Sequence, residues 1–144
     1  VSELLTQVSE KIGRKIKLIL EPGRIIGGAA AYFICKVVDI KERGDHQLVG
    51  VNASSVQFPR NLFYHDKAFH PVTVIYKSGA LSKNGTIETS VYGCSTYSRD
   101  FLAQNIHLPK TSVGDILVFG YAGSYCATAH TSFLGFPKAK EYFI

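Results

Sequence analysis

The chain has 144 residues and a formal net charge of +5, with 46% hydrophobic and 19% charged residues. That is enough for one domain with its own core and too little for a complete eight-fold α/β barrel, which needs about 250 residues. The balance excludes a disordered or fibrous chain, and no apolar run approaches the ~18 residues of a membrane-spanning helix.

In residues 2–12, Leu4, Leu5, Val8 and Ile12 recur at helical spacing. They predict a helix capped by Ser2 and ended by Gly13. Ile16-Lys17-Leu18-Ile19-Leu20 predicts a mostly buried strand, stopped by Glu21-Pro22-Gly23. A helix feeding a buried strand is half of an α/β unit, and nothing later repeats it. Val1 in place of Met fits either a trimmed start or an excised piece, and the lone unit reads as though cut from a larger α/β domain upstream.

From Ala31 the texture is β. Residues 32–40, 47–51, 72–76, 86–92 and 116–121 are rich in β-branched and aromatic side chains. Turn signals separate them at Glu42-Arg43-Gly44-Asp45, Lys83-Asn84-Gly85 and Ser112-Val113-Gly114-Asp115. Asn84-Gly85 tolerates positive φ and predicts a hairpin. Residues 98–104 predict one short helix, with Ser98 as cap and Asp100 in its first turn. The expected fold class is mainly β, an antiparallel barrel- or sandwich-like domain of five or more strands after one α/β unit.

The basic residues are scattered, so the charge reads as a solvated mixed surface, with no nucleic-acid-binding face and no membrane surface. Cys35, Cys94 and Cys126 stand at no metal-like spacing. They argue against a disulfide framework or a zinc site and for a reducing cytoplasm. His46, His65, His70, His107 and His130 are dispersed without metal spacing and receive no role.

Three clusters carry candidate chemistry. Glu21-Pro22-Gly23-Arg24 ends the first strand, where α/β folds place ligands; Gly23 permits close approach of an anion and Arg24 offers a planar set of donors. The same residues also suit a tight turn with a surface Arg. Gly93-Cys94-Ser95-Thr96-Tyr97-Ser98-Arg99-Asp100 is a polar link that serves either catalysis or helix capping, and no adjacent His activates Cys94. Gly123-Ser124-Tyr125 projects one Tyr from a small-residue turn, as a ligand contact or as a core aromatic.

In this order, with Gly114-Asp115 before a strand and the closing Phe133-Leu134-Gly135-Phe136-Pro137, the clusters resemble the fold-type III pyridoxal-phosphate decarboxylases, the ornithine, diaminopimelate and arginine decarboxylase group. The resemblance implies that residues 1–30 are the last helix and strand of a cofactor-binding barrel and that residues 31–144 are the C-terminal β domain. It implies that Glu21 pairs with the pyridine nitrogen of pyridoxal 5'-phosphate, and that Gly23, Arg24 and Tyr125 hold the cofactor phosphate. Residues 96–100 would reach the neighbouring subunit's site in a homodimer acting on a small amino-acid substrate. The family's Gly-x-x-Cys-x-x-x-Asp places Thr96 at the Cys position, with Cys94 two residues earlier and Asp100 at the closing Asp. Cys94, Thr96 and Asp100 are therefore the catalytic candidates. Tyr97 falls at the substrate-reading position, where enzymes for basic amino acids often carry an acid. No lysine of the chain matches the Schiff-base lysine, so this chain alone is expected to be inactive without its barrel domain. The alternatives are a racemase of the same fold type and a non-catalytic β module for dimerisation or regulation.

Overall fold

The computed structural model describes residues 1–64, 68–81 and 85–144. It is mainly β, as expected: a curled six-stranded sheet in the order β3-β6-β1-β2-β4-β5. The strands are β1 (Phe33–Arg43), β2 (His46–Val51), β3 (Val72–Ile75), β4 (Thr86–Tyr92), β5 (Phe101–Pro109) and β6 (Ile116–Phe119). Strand β1 reaches Arg43, three residues past the expected end, and turns at Gly44 into β2 with Arg43 opposite His46. A bulge between Val37 and Asp39 bends that hairpin.

The sheet is not antiparallel throughout. Strands β2 and β4 run parallel, His46 opposite Glu88 and Gly50 opposite Tyr92. Parallel neighbours need a crossover, and residues 52–85 supply it with α3 (Arg60–Phe63) and β3. Buried Gln47 satisfies the seam: its Nε2 donates to Thr89 Oγ1 at 2.9 Å and to Pro109 O at 3.1 Å, and its Oε1 accepts from the Thr111 N–H.

Alternation sets the core. Cys35 and Val37 of β1 point inward, while Ile34 and Val38 face out. Val37, Val49, Val51, Val91, Leu102, Leu117 and Phe119 are fully buried. Phe58, in the crossover, stacks on Phe33 with ring centroids 4.6 Å apart and meets Phe119 at 5.6 Å and His70 at 4.5 Å. The expected turn before β6 holds because Asp115 accepts the N–H groups of Lys77 and Ser112, both at 2.8 Å.

Three local expectations end otherwise. Helix α1 (Ser2–Ile12) forms and stops at Gly13, φ 65°, but Val1 is its cap residue and Ser2 lies within it. Residues 16–20 form no strand, and Ile19 and Leu20 are 73% and 72% exposed, because no described strand offers them an edge. Residues 98–104 form no helix; a turn at 97–100 leads directly into β5, where Ala103 pairs with Val91 and Phe101 with Tyr92. The Lys83-Asn84-Gly85 hairpin signal falls partly outside the described residues. No described helix is long and apolar enough to cross a membrane.

Candidate active site

Two distant segments meet beyond the end of β6. After Pro22 the chain turns at Gly23 into α2 (Arg24–Gly27) and a 3-10 turn, Gly28–Ala30. Against it lies the turn 120–125. The Ala122 N–H donates to Ala31 O at 2.9 Å, and the Gly123 N–H donates to Gly28 O at 3.0 Å. Small residues are obligatory here: a Cβ on Gly123 would stand 1.9 Å from Gly27 O, and one on Gly27 2.7 Å from Ser124 Oγ. Tyr121 and Tyr125 bracket the turn at φ 54° and 61°, left-handed values that cost a non-glycine residue about 1 kcal/mol or more.

This junction unites three of the four residues proposed for the cofactor. Arg24 Nη1 donates to Ser124 O at 2.8 Å, and its guanidinium sits 5.4 Å from the centroid of the Tyr125 ring. A Cβ on Gly23 would fall 3.1 Å from Tyr125 Oη, so the phenol and the bare Gly23 backbone share one cradle. Tyr125 remains 61% exposed, which removes its reading as a core aromatic. Glu21 is exposed two residues upstream of Gly23, with no hydrogen-bond or ion-pair partner among the described residues.

The sequence reading missed Arg60. It begins α3 after Pro59, and its buried Nε has no hydrogen-bond partner among the described residues. Burial, then the charge of Arg24, lowers its pKa from the usual guanidinium value. His70 completes the group. Its Nδ1 bonds Gly120 O at 2.8 Å, which leaves Nε2 buried with no partner among the described residues. Burial lowers the His70 pKa, and Arg60 and Arg24 push the same way against the Gly120 bond, so the ring is held neutral. Cys126 lies beside Arg24 with its thiol pKa raised, burial outweighing the two guanidinium groups. Two arginines with unspent donors and a cradle of bare backbone make an anion site.

The second cluster is the loop from Gly93 to Asp100. Asp100, 4% exposed, takes the Ser54 hydroxyl at 3.1 Å and the Ser55 N–H at 2.6 Å on Oδ1. Its Oδ2 accepts the Ser95 N–H at 2.9 Å and the Ser95 hydroxyl. Burial raises its pKa, but these bonds from Ser95 and Ser55 prevail and hold the carboxyl below its usual range. Gly93 must be bare, because a Cβ there would meet the carboxylate at 2.3 Å. The loop thus turns its one acid inward and faces Cys94, Thr96 and Ser98 outward. Cys94 is anchored through its N–H to Ala53 O at 2.9 Å, and partial burial of its thiol followed by the Asp100 charge raises its pKa. That favours a thiol that keeps its proton over an activated nucleophile. Tyr97 meets Phe133 edge-on, centroids 5.5 Å apart. A cavity of about 410 Å³ behind the loop is lined by Asn61, His70, Ser98, Arg99, Phe101 and Gln104 among others, so His70 touches both clusters.

Comparison with known proteins identifies the family of the chain. The family model of the pyridoxal-dependent decarboxylase C-terminal sheet domain matches residues 25–123. Diaminopimelate decarboxylase of Buchnera aphidicola from Acyrthosiphon pisum is 29% identical over 143 residues, covering 94% of this chain and 34% of that protein. The Escherichia coli K12 enzyme of the same name is 28% identical over the same shares. A crystal structure of a diaminopimelate decarboxylase superposes with a TM-score of 0.74 at 25% identity, covering 93% of this chain and 33% of that one. The Helicobacter pylori diaminopimelate decarboxylase complexed with L-lysine gives 0.70 at 26%, covering 91% and 31%. The chain spans about a third of the length of the relatives it matches. With the family model covering most of its length, the chain belongs to the pyridoxal-dependent decarboxylase family, as a C-terminal sheet domain.

Proposed function

We propose that the whole protein decarboxylates an amino acid or an amino-acid-derived metabolite with pyridoxal phosphate, and that this chain supplies the phosphate side of the cofactor site and one wall of a substrate pocket shared in a homodimer. The single observation that carries this reading is the Gly23–Arg24–Tyr125 junction, in which residues about a hundred positions apart form one anion cradle. When bound, pyridoxal phosphate supplies the electron sink for the pair released as an α-carboxylate leaves as carbon dioxide.

The residues of this chain fit that group. The bare Gly23 backbone, the spare donors of Arg24 and the Tyr125 hydroxyl would hold its phosphate. Glu21, exposed and unpaired, would face the pyridine nitrogen as a carboxylate. Arg60 would hold a substrate carboxylate, since its buried Nε lacks a partner. Of the outward residues, Cys94 keeps its proton near neutral pH and suits proton delivery, with the Thr96 hydroxyl as the alternative donor. Asp100 would fix both by tying the loop to Ser54 and Ser55.

The opening residues support an upstream α/β barrel domain carrying the Schiff-base lysine. Helix α1 buries none of its residues and keeps Leu4, Val8 and Ile12 uncovered, and residues 16–20 belong to no strand. An apolar helix face and an unpaired apolar segment are what a missing sheet neighbour would cover.

In the full-length protein, Arg24→Ala is expected to weaken pyridoxal phosphate binding roughly ten- to hundredfold, from the ~1.5–3 kcal/mol of a charge-assisted contact, with little change in folding. Cofactor titration followed by absorbance reads the affinity, and unchanged affinity would remove the phosphate assignment. Carbon dioxide release from a chiral amino acid separates decarboxylation from racemisation.

A further inference from the structure

We infer that His70 is a positioning residue for Arg60: its Nε2 accepts the Arg60 Nε–H and thereby fixes the plane of the guanidinium that meets a substrate carboxylate. This rests on the proposed reading of Arg60 and adds to it the group that aims it.

Arg60 Nε and His70 Nε2 are both buried, and neither has a hydrogen-bond partner among the described residues. Their chemistry is complementary. The Gly120 carbonyl can only accept, so His70 Nδ1 carries the proton of its 2.8 Å bond, and Nε2 of the neutral ring is an acceptor. The Nε–H of an arginine can only donate. The chain brings the two groups together from both sides of Arg60. The Phe58 ring packs on the His70 ring with centroids 4.5 Å apart, and Asn61 lines the same cavity as His70. A buried donor and a buried acceptor each cost free energy when unpaired, which favours closing them on each other. An arginine held at Nε still presents both terminal nitrogens to the two oxygens of a carboxylate.

The bond exists only while the imidazole is neutral. Protonation turns Nε2 into a donor facing a donor and sets another cation beside Arg60. The charged groups that act on the ring are Arg60 of α3 and Arg24 of α2, and no described acid is among them. Arg99 of the 93–100 loop lines the adjoining cavity, to which β5 adds Phe101, Gln104 and Ile106, none of them titratable. Burial first, then Arg60 and Arg24, lower the His70 pKa against the Gly120 bond. The bond is therefore present at neutral pH and lost as pH falls through a value below the ordinary imidazole pKa of about 6.5.

The test uses the full-length apoenzyme and two stable probes, the reduced phosphopyridoxyl conjugates of alanine and of ethylamine, which differ only by the α-carboxylate. The ratio of their dissociation constants, measured by calorimetry, reads the carboxylate contact and cancels the titration of the shared phosphate. Wild type should bind the alanine conjugate roughly ten- to hundredfold more tightly. His70→Phe keeps a ring against Phe58 and removes the acceptor; it should lose most of that ratio with pyridoxal phosphate affinity unchanged. His70→Gln, whose Oε1 replaces Nε2, should keep it. The wild-type ratio should collapse on acidification in step with the His70 titration followed by NMR, and the His70→Gln ratio should stay flat; the wild-type profile needs no variant to fold. A full ratio in folded His70→Phe, or a wild-type ratio that stays constant while His70 titrates, overturns the inference. Arg60→Met separates the two readings. If it loses the ratio while His70→Phe keeps it, the inference alone falls; if it keeps the ratio, the carboxylate reading of Arg60 falls with it.

Discussion

Gly123→Ala tests whether the junction between the 21–30 segment and the 120–125 turn organises the site. The new Cβ would sit 1.9 Å from Gly27 O, 3.1 Å from Gly27 C and 3.2 Å from Gly28 O. All three are backbone atoms, so no side chain can swing aside, and the segments must separate by more than an ångström. Separation strains or breaks the Gly123 N–H to Gly28 O and Ala122 N–H to Ala31 O bonds. Each is worth about 1 kcal/mol net, and forced overpacking adds about 1–3 kcal/mol, for a total of roughly 3–5 kcal/mol if both are lost. Chemical denaturation followed by circular dichroism should show that loss. Gly85→Ala, with nothing among the described residues within 4 Å of its Cβ, should change stability by less than about 0.5 kcal/mol. Because Arg24 is held by the carbonyl of Ser124, the next residue, Gly123→Ala should also weaken cofactor binding in the full-length protein. Wild-type stability together with wild-type cofactor affinity would refute the reasoning.

Asp100→Asn should destabilise by about 2–3 kcal/mol at neutral pH, because an amide turns a donor toward donors from Ser54, Ser55 and Ser95. The folded pKa of Asp100 lies below the usual carboxylate value of about 3.9, so its contribution is complete above that value and fades as pH falls through the folded one. Urea midpoints should therefore show a constant gap between wild type and Asp100→Asn above about pH 5, closing only on stronger acidification. A gap that widens toward acid would contradict the assignment. For the thiols, burial raises the Cys35 pKa to about 12 and also raises that of Cys126, while Cys94 is exposed. Iodoacetamide at neutral pH should label Cys94 alone, and more slowly than a free thiol; mass spectrometry showing Cys35 or Cys126 labelled in the folded protein would refute that order.

The sequence makes most of the sheet legible because burial on one face imposes alternation. Cys35 and Val37 inward with Ile34 and Val38 outward is a pattern that only a strand explains. Strand β5 escapes the same test. Its opening Phe101-Leu102-Ala103-Gln104 has helix-forming composition, and Ser98 and Asp100 imitate a helix start. What decides the outcome is tertiary: the Asp100 side chain is claimed by residues 54 and 55, leaving no free acid for a helix terminus, and β4 offers an open edge. Residues 16–20 show the converse, since apolar composition states a need for burial without naming the partner. The Glu21–Arg24 and Gly123–Tyr125 motifs were visible separately, and only the fold shows that they touch. Arg60 carried no signal, because an Arg after a Pro is ordinary until the fold brings its charge within range of Arg24.

The two clusters differ in how much of their environment this chain completes. At the Arg24–Tyr125 junction, bare glycines, paired backbone groups and two left-handed tyrosines fix the donors before any ligand arrives, so little ordering remains to be done on binding. The Gly93–Asp100 loop is equally rigid on its inner side, where Asp100 is saturated, but its outer side leaves Cys94, Thr96 and Ser98 facing solvent. Contacts to an anion should therefore depend chiefly on residues of this chain.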